Sequence, residues 1–220
     1  MDNSIELAGI ILSEPVTFLT DVLVSVFCAY FIFRLLKAYP NTRKNWRLFY
    51  LFMGISSFVG GVAHLLFMYT GYSLKMVSWC FIGLSVFFAE IASIRLVKGE
   101  KVAKMLKILA YFKLAVYMFA VFYTMSFIAA KVNLAVGLIG IVSTIQISVY
   151  FRCKKFPHFL IALGFIFAIS LVFIHGFKLS FHTFFNHNDI SHIVTIICLY
   201  ISFLGIIKAE LPNHSVAGHV

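Results

Sequence analysis

Charged residues are scarce in this chain, and acidic residues are the scarcest of them. Only 12% of the 220 residues are charged, and only 8 residues are Asp or Glu. A soluble domain typically has about 25% charged residues. The shortage excludes a soluble globular protein. The shortage of charge extends along the whole chain, so we predict no separate soluble domain.

Two sequence features that would define other protein classes are missing. The four cysteines form no C-x-x-C pair, which argues against a thiol-exchange enzyme. The last apolar run has its only lysine, Lys208, at its end. A retinal protein needs a lysine in the middle of that run, so this class is excluded as well.

Apolar residues make up 62% of the chain and fall into runs of membrane length. A run of about 20 residues crosses a hydrocarbon core of about 30 Å. We therefore predict a single-domain, all-α, multi-pass integral membrane protein over residues 1–220. The seven predicted spans cover residues 15–36, 46–69, 74–96, 105–127, 133–151, 157–175 and 189–208. The segment from Ile5 to Leu12 is too short to span and is expected at the outer interface.

Lysine and arginine concentrate in alternate loops between these spans. Thirteen of them lie beside the loops after spans one, three and five, whereas the opposite loops have three, Lys75, Lys131 and Lys178. This asymmetry predicts an N-terminus outside and a C-terminus inside. It also accounts for the net charge of +10. Membrane lipids are therefore the expected partners, and nucleic acid is not.

Ionisable side chains gather at the predicted outer ends of spans one and two. Glu14 precedes span one, and Asp21 lies seven residues further along the same helical face. His64 lies within two turns of the outer end of span two. It shares a face with Gly54, Ser57 and Gly61, and small residues on one face allow another helix to approach closely.

The opening of span seven is the most polar stretch of the chain. Between Phe184 and His192 it contains two histidines, two asparagines, an aspartate and a serine. Polar and ionisable groups are costly at membrane depth, so this stretch is a candidate functional site. Asp189 precedes an apolar helix, where it is placed equally well to cap the helix or to bind a ligand.

Imidazole and carboxylate groups from three spans at one depth predict a zinc site. Catalytic zinc commonly has three such protein ligands and one water molecule. The candidate metal ligands are His64, Asp189, His192 and His187, with His175 as a further substitute. Asp21 or Glu14 would then orient a ligand or act as the general base on the zinc-bound water.

Motifs on spans one, two and seven resemble the superfamily of alkaline ceramidases and progestin/adipoQ receptors. The motifs are Glu14-Pro-x-Thr, Thr20-Asp21, Ser57 with His64, and Asn186-His-Asn-Asp189 followed by His192. In the ceramidases a histidine late in span two and an H-x-x-x-H pair opening span seven hold zinc. His64 and His192 match that pattern, and Asn188 takes the place of the first histidine of the pair. The resemblance implies a lipid amide substrate and adds Ser57 to the candidate catalytic residues.

The leading prediction is a zinc-dependent membrane hydrolase that acts on a lipid amide or ester at the outer side of the membrane. Zinc would lower the pKa of bound water to about 7 and polarise the scissile carbonyl group. Two alternatives stay open. One is a metal-free transporter or receptor whose ligand or proton site uses the same acidic and histidine residues. The other is a non-catalytic relative of the hydrolase fold.

Overall fold

A computed structural model describes residues 4–39 and 43–209. An antiparallel hairpin opens the chain, with strands β1 (Ser4–Leu7) and β2 (Ile10–Ser13). The seven long helices of the described ranges are α1 Pro15–Ala38, α2 Lys44–Leu65, α3 Ser73–Ile94, α4 Glu100–Thr124, α5 Phe127–Cys153, α6 Phe156–Gly176 and α7 His187–Lys208. Each is long and apolar enough to cross a membrane. The prediction of seven membrane-length helices is confirmed, and the described chain is mainly helical, although it also contains this hairpin.

The bounds of several spans differ from the prediction. Helix α2 ends at Leu65, and the chain then forms a separate one-turn helix, Phe67–Thr70, which the sequence analysis had merged with span two. Helix α4 begins at Glu100, because the lysines near its start are compatible with a helix that extends beyond the apolar run. Helix α5 begins at Phe127, where the Ser126 side chain accepts a hydrogen bond from the backbone N–H of Ile128.

The segment before α1 forms the β-hairpin, which the sequence analysis did not predict. Ala8 and Gly9 both have positive φ, 52° and 79°, as a tight two-residue hairpin turn requires. The backbone N–H of Ile11 donates to the hydroxyl of Tyr69 at 3.0 Å. This bond attaches the hairpin to the one-turn helix after α2, so the hairpin lies beside the end of α2 that contains His64.

Helices α1 and α2 pack closely through the predicted small-residue face of α2. A Cβ atom built on Gly61 would lie 2.9 Å from the Cβ of Asp21, and one on Gly54 would lie 3.0 Å from the Cβ of Cys28. Asp21 and Cys28 belong to the buried face of α1. The prediction that small residues here allow a close approach between helices is confirmed.

The opposite end of the bundle contains an aromatic core between α1, α2 and α7. Phe31 stacks on Phe203 with ring centroids 4.6 Å apart and lies 5.2 Å from Tyr50. All three side chains are buried. Other phenylalanines, such as Phe119, point outward with 70% of their surface exposed. The phenylalanine content therefore serves both core packing and the outer surface of the bundle.

The α1–α2 contact predicts the effect of adding one methyl group at Gly61. We expect Gly61→Ala to lower the free energy of unfolding by about 1–3 kcal/mol, because the new Cβ meets Asp21 and overpacks the contact. The matched control is Gly140→Ala, whose Cβ would meet only Ala135 O at 3.7 Å. Thermal unfolding in detergent micelles measures both variants. Equal melting temperatures for the two variants would contradict the close approach.

Candidate functional site

Three helix ends meet where the sequence analysis placed its candidate site. These are the N-terminus of α1, the C-terminus of α2 and the N-terminus of α7, and we call this region the Glu14 end. Six side chains gather there, and we call them the polar cluster: Glu14, Thr20, Asp21, His64, Asp189 and His192. The cluster divides into two groups, one around His64 and one around His192.

In the first group, Glu14 is paired with His64. Glu14 precedes Pro15 with a left-handed backbone (φ 45°), which begins α1 and turns the carboxylate toward α2. Its Oε2 atom lies 2.6 Å from Nδ1 of His64. This close contact with His64 holds the pKa of Glu14 below its ordinary value, against the opposing effect of partial burial. Lys75 and the Asn188 side chain lower this pKa further.

In the second group, His192 lies between two side chains of α1. Its Nε2 atom is 3.4 Å from Oδ1 of Asp21, and its Nδ1 atom is 2.9 Å from the hydroxyl oxygen of Thr20. The same hydroxyl lies 3.4 Å from Oδ1 of Asp189. Thr20, Asp21 and Asp189 are all buried. Two further carboxylates, those of Asp189 and Glu14, repel a negative charge on the Asp21 carboxylate.

Thr20 determines how hydrogens are distributed in this group, because its hydroxyl has one hydrogen and three neighbouring acceptor atoms. These are the backbone carbonyl of Thr17 at 3.0 Å, Asp189 Oδ1 and His192 Nδ1. If Thr20 donates to His192, the hydrogen of the neutral ring is on Nε2 and faces Asp21. If Thr20 donates elsewhere, Nδ1 must carry a hydrogen to bond the hydroxyl oxygen. The Asp21–His192 contact then needs one additional proton.

Asp189 is a helix cap in this structure. Its Oδ2 atom accepts the backbone N–H of Asn186 at 2.7 Å, and Asn186 Oδ1 accepts the N–H of Asn188 at 2.7 Å. This reciprocal arrangement is a capping box at the start of α7. Of the two roles left open by the sequence, the geometry favours the cap. A ligand role for Asp189 stays a prediction.

Two of the candidate residues lie apart from the polar cluster. His187 contacts His175 edge to face, with ring centroids 5.4 Å apart, so these two imidazoles face each other and not His64. Ser57 is half-buried on α2, and within the described residues it has no hydrogen bond to the cluster. The neighbouring Ser56 instead donates to the backbone carbonyl of Ser78 on α3 at 2.8 Å. A catalytic role for Ser57 stays a prediction.

The arrangement of these side chains does not fit zinc. Among residues 4–39 and 43–209, no group of three His, Cys, Asp or Glu side chains is placed to hold a metal ion. Both ring nitrogens of His192 and both oxygens of Asp189 already face protein partners. His64 faces Glu14 through Nδ1. Zinc binding by His64, Asp189, His192 and His187 therefore stays a prediction that the geometry does not favour.

Sequence reasoning included Thr20 and Asn186 in its motifs but assigned neither of them a role in the site. Thr20 connects α1 to α7 through His192 and Asp189, and Asn186 begins the capping box. One signal was available for Asn186, because an N-cap residue followed three positions later by an acidic side chain is a capping signature. No periodicity indicates which threonine in an apolar run will face a histidine 172 positions away.

Comparison with known proteins identifies a family without assigning an activity. The chain belongs to a family of unknown function, DUF6962, whose model matches residues 16–211. No curated protein and no solved structure matches the chain. The resemblance to alkaline ceramidases and progestin/adipoQ receptors therefore stays a prediction.

The Glu14–His64 pair predicts a pH-dependent contribution to stability. Because the folded-state pKa of Glu14 is lowered, the pair stabilises the fold above the ordinary pKa of about 4.5. This contribution is lost as the pH falls through the lower folded-state value. We therefore expect Glu14→Gln to reduce the melting temperature at neutral pH, and the difference from wild type to shrink below about pH 4.5. Thermal unfolding across this pH range measures it, and a difference that grows on acidification would contradict the pairing.

Proposed function

We propose that the protein is a metal-free membrane transporter or receptor whose polar cluster binds a proton. The observation that supports this proposal most directly is the position of His192 between Asp21 and Thr20. A half-buried imidazole that faces a buried carboxylate is a typical proton-binding arrangement in membrane proteins. The Asp189 carboxylate lies beside the same Thr20 hydroxyl, and a nearby negative charge favours a proton or another cation at this site.

Proton binding changes the contact between α1 and α7 through Thr20. Without the extra proton, Thr20 donates to His192 Nδ1 and the ring donates from Nε2 to Asp21. With it, the ring is either a cation with a hydrogen on both nitrogens, or neutral with its hydrogen on Nδ1 while a protonated Asp21 Oδ1 donates to Nε2. The Thr20 hydroxyl then accepts from Nδ1 and turns its own hydrogen toward Asp189 or the carbonyl of Thr17. One proton thereby redirects the hydrogen bonds that join the two helices.

The same geometry supports this function over the zinc-dependent hydrolase. A zinc ligand must offer a free lone pair, and the atoms of His192 and Asp189 that would do so face protein partners. Releasing them would break the capping box of α7. The proton-binding proposal uses these contacts as they stand and requires no rearrangement of α7.

The orientation in the membrane is part of the proposal. The distribution of lysine and arginine between alternate loops supports an orientation with the Glu14 end and the N-terminus outside. Reporter fusions after Asn41, Gly99 and Lys154 are expected to give inner-side signals; Asn41 lies outside the described residues. Outer-side signals at two of these positions would reverse the orientation and place the polar cluster on the inner side.

Proton binding is tested by pH-difference infrared spectroscopy on protein in lipid nanodiscs. Wild type is expected to show a pH-dependent carboxylic or imidazole signal from the Asp21–His192 pair. Asp21→Asn and His192→Gln should each remove this signal, because each deletes one half of the pair. The matched control is His158→Gln, since His158 is also buried but bonds Gln146, 2.7 Å away, in a separate group.

Two results would overturn the proposal. One is a pH-dependent signal that survives unchanged in Asp21→Asn and His192→Gln. The other is about one zinc ion per chain after purification without chelator, lost in both His64→Ala and His192→Ala. The second result would restore the zinc-dependent hydrolase as the leading function.

A further inference from the structure

A second polar group lies in the middle of the bundle, away from the Glu14 end. Lys113 lies near the centre of α4, and its Nζ atom is 2.9 Å from Oε1 of Glu90 on α3. Lys113 also donates to the side-chain oxygen of Asn133 on α5. The Glu90 side chain is fully buried. Charged residues at the centre of membrane-length helices are rare and commonly functional.

This group forms the deep end of a groove between α4 and α5. The groove has a volume of about 390 Å³ and is lined by residues from Lys113 to Thr124 and from Ser126 to Val136. Its walls are mostly apolar, with Val116, Ile128 and Val132 about half exposed or more. Lys113 and Asn133 are at one end and Thr124 at the other. At a rise of 1.5 Å per residue, the stretch of α4 between them is about 16 Å long.

Hydrogen-bond donors at the deep end lack partners. In the described part of the chain, the Nδ2 amide group of Asn133 is buried without a hydrogen-bond partner. Apart from the ion pair with Lys113, the Oε1 and Oε2 atoms of Glu90 also have no hydrogen-bond partner there, but Glu90 does not line the groove, so the unpaired atoms that line it are donors. The Lys113 ammonium has three hydrogens, and its described contacts with Glu90 and Asn133 use two. A buried donor without a partner is costly, so an acceptor atom bound in the groove would be stabilised.

The backbone of α5 is specialised beside this group. Residues Ala135–Val142 form a π-helical segment, a rare feature that is frequent at functional sites. Gly137 lies within it, and a Cβ there would be 2.2 Å from Val86, 2.8 Å from Glu90 Oε1 and 3.2 Å from Lys113 Nζ. Only glycine allows α5 to approach the ion pair this closely. The local geometry therefore keeps Asn133 next to Lys113.

The charges of Glu90 and Lys113 indicate which kind of ligand fits the groove. Glu90 and Lys113 already neutralise each other, so an additional carboxylate would be repelled by Glu90 and an additional cation by Lys113. A neutral oxygen acceptor is repelled by neither of these two side chains. The apolar walls require that the rest of the ligand be hydrocarbon.

We propose that the α4–α5 groove binds an uncharged, lipid-like molecule with a carbonyl oxygen. The carbonyl accepts hydrogen bonds from Asn133 Nδ2 and Lys113 Nζ, and the hydrocarbon part lies along the groove toward Thr124. The site is separate from the polar cluster and does not depend on proton binding there.

Photo-crosslinking of protein in lipid nanodiscs tests the proposal with a defined probe. The probe is a long-chain methyl ketone with a diazirine in its chain, and mass spectrometry locates the label. We expect labelling within residues 113–136, and competition by the unlabelled ketone at concentrations at least about tenfold lower than by the matched alkane. Equal competition by ketone and alkane would overturn the proposal, because it would leave no role for the carbonyl oxygen.

Three variants locate the site. Ala120→Phe fills the groove and should reduce labelling about tenfold or more, whereas the matched control Ala115→Phe, on an exposed position of the same helix, should not. Asn133→Leu removes the unpaired amide and should abolish the preference for ketone over alkane. Wild-type labelling in Ala120→Phe would overturn the proposal even if Asn133→Leu failed to fold.

Discussion

The burial of the Asp21 carboxylate is the constraint on which the Glu14 end depends. Asp21 is 5% exposed and lies on the face of α1 that packs against α2. A buried ionisable group without partners costs several kcal/mol. The His192 imidazole of α7 offsets this cost by its contact with the carboxylate. Gly61 of α2 has no side chain and therefore leaves space for Asp21. From α1, the Asp21 side chain thereby contacts both α2 and α7.

Three groups of polar side chains lie in different parts of the bundle, and each group connects a different set of helices. The polar cluster joins α1, α2 and α7. Glu90, Lys113 and Asn133 join α3, α4 and α5. His158 and Gln146, with Ser93, join α3, α5 and α6. Apolar helices gain little from burying hydrocarbon against hydrocarbon in a lipid environment, so polar contacts and close backbone packing decide which helices become neighbours.

The three groups differ in how completely their hydrogen-bonding atoms are satisfied. This difference distinguishes a group that stabilises the fold from a group that is a candidate binding site. The His158 group is buried and forms a continuous chain of hydrogen bonds through Gln146 to Ser93, as expected for a structural network. The polar cluster has more acceptor atoms around Thr20 than hydrogens to fill them. In the Lys113 group, the Asn133 amide is a donor without an acceptor among the described residues, and the Glu90 carboxylate oxygens, which do not line the groove, also lack hydrogen-bond partners there apart from the ion pair with Lys113. A proton resolves the first imbalance, and an oxygen acceptor resolves the second.

The sequence by itself determined the number of membrane-length helices, their apolar character and the ionisable residues at the Glu14 end. These follow from run length and helical spacing, which are local properties of the chain. Only the tertiary structure decided which atoms pair. It joined Glu14 to His64 and Asp21 to His192, turned Asp189 into a cap, and placed Lys113 against Glu90. The physical reason is that pairing depends on the rotation of each helix about its axis. That rotation is set by packing against neighbours distant in sequence.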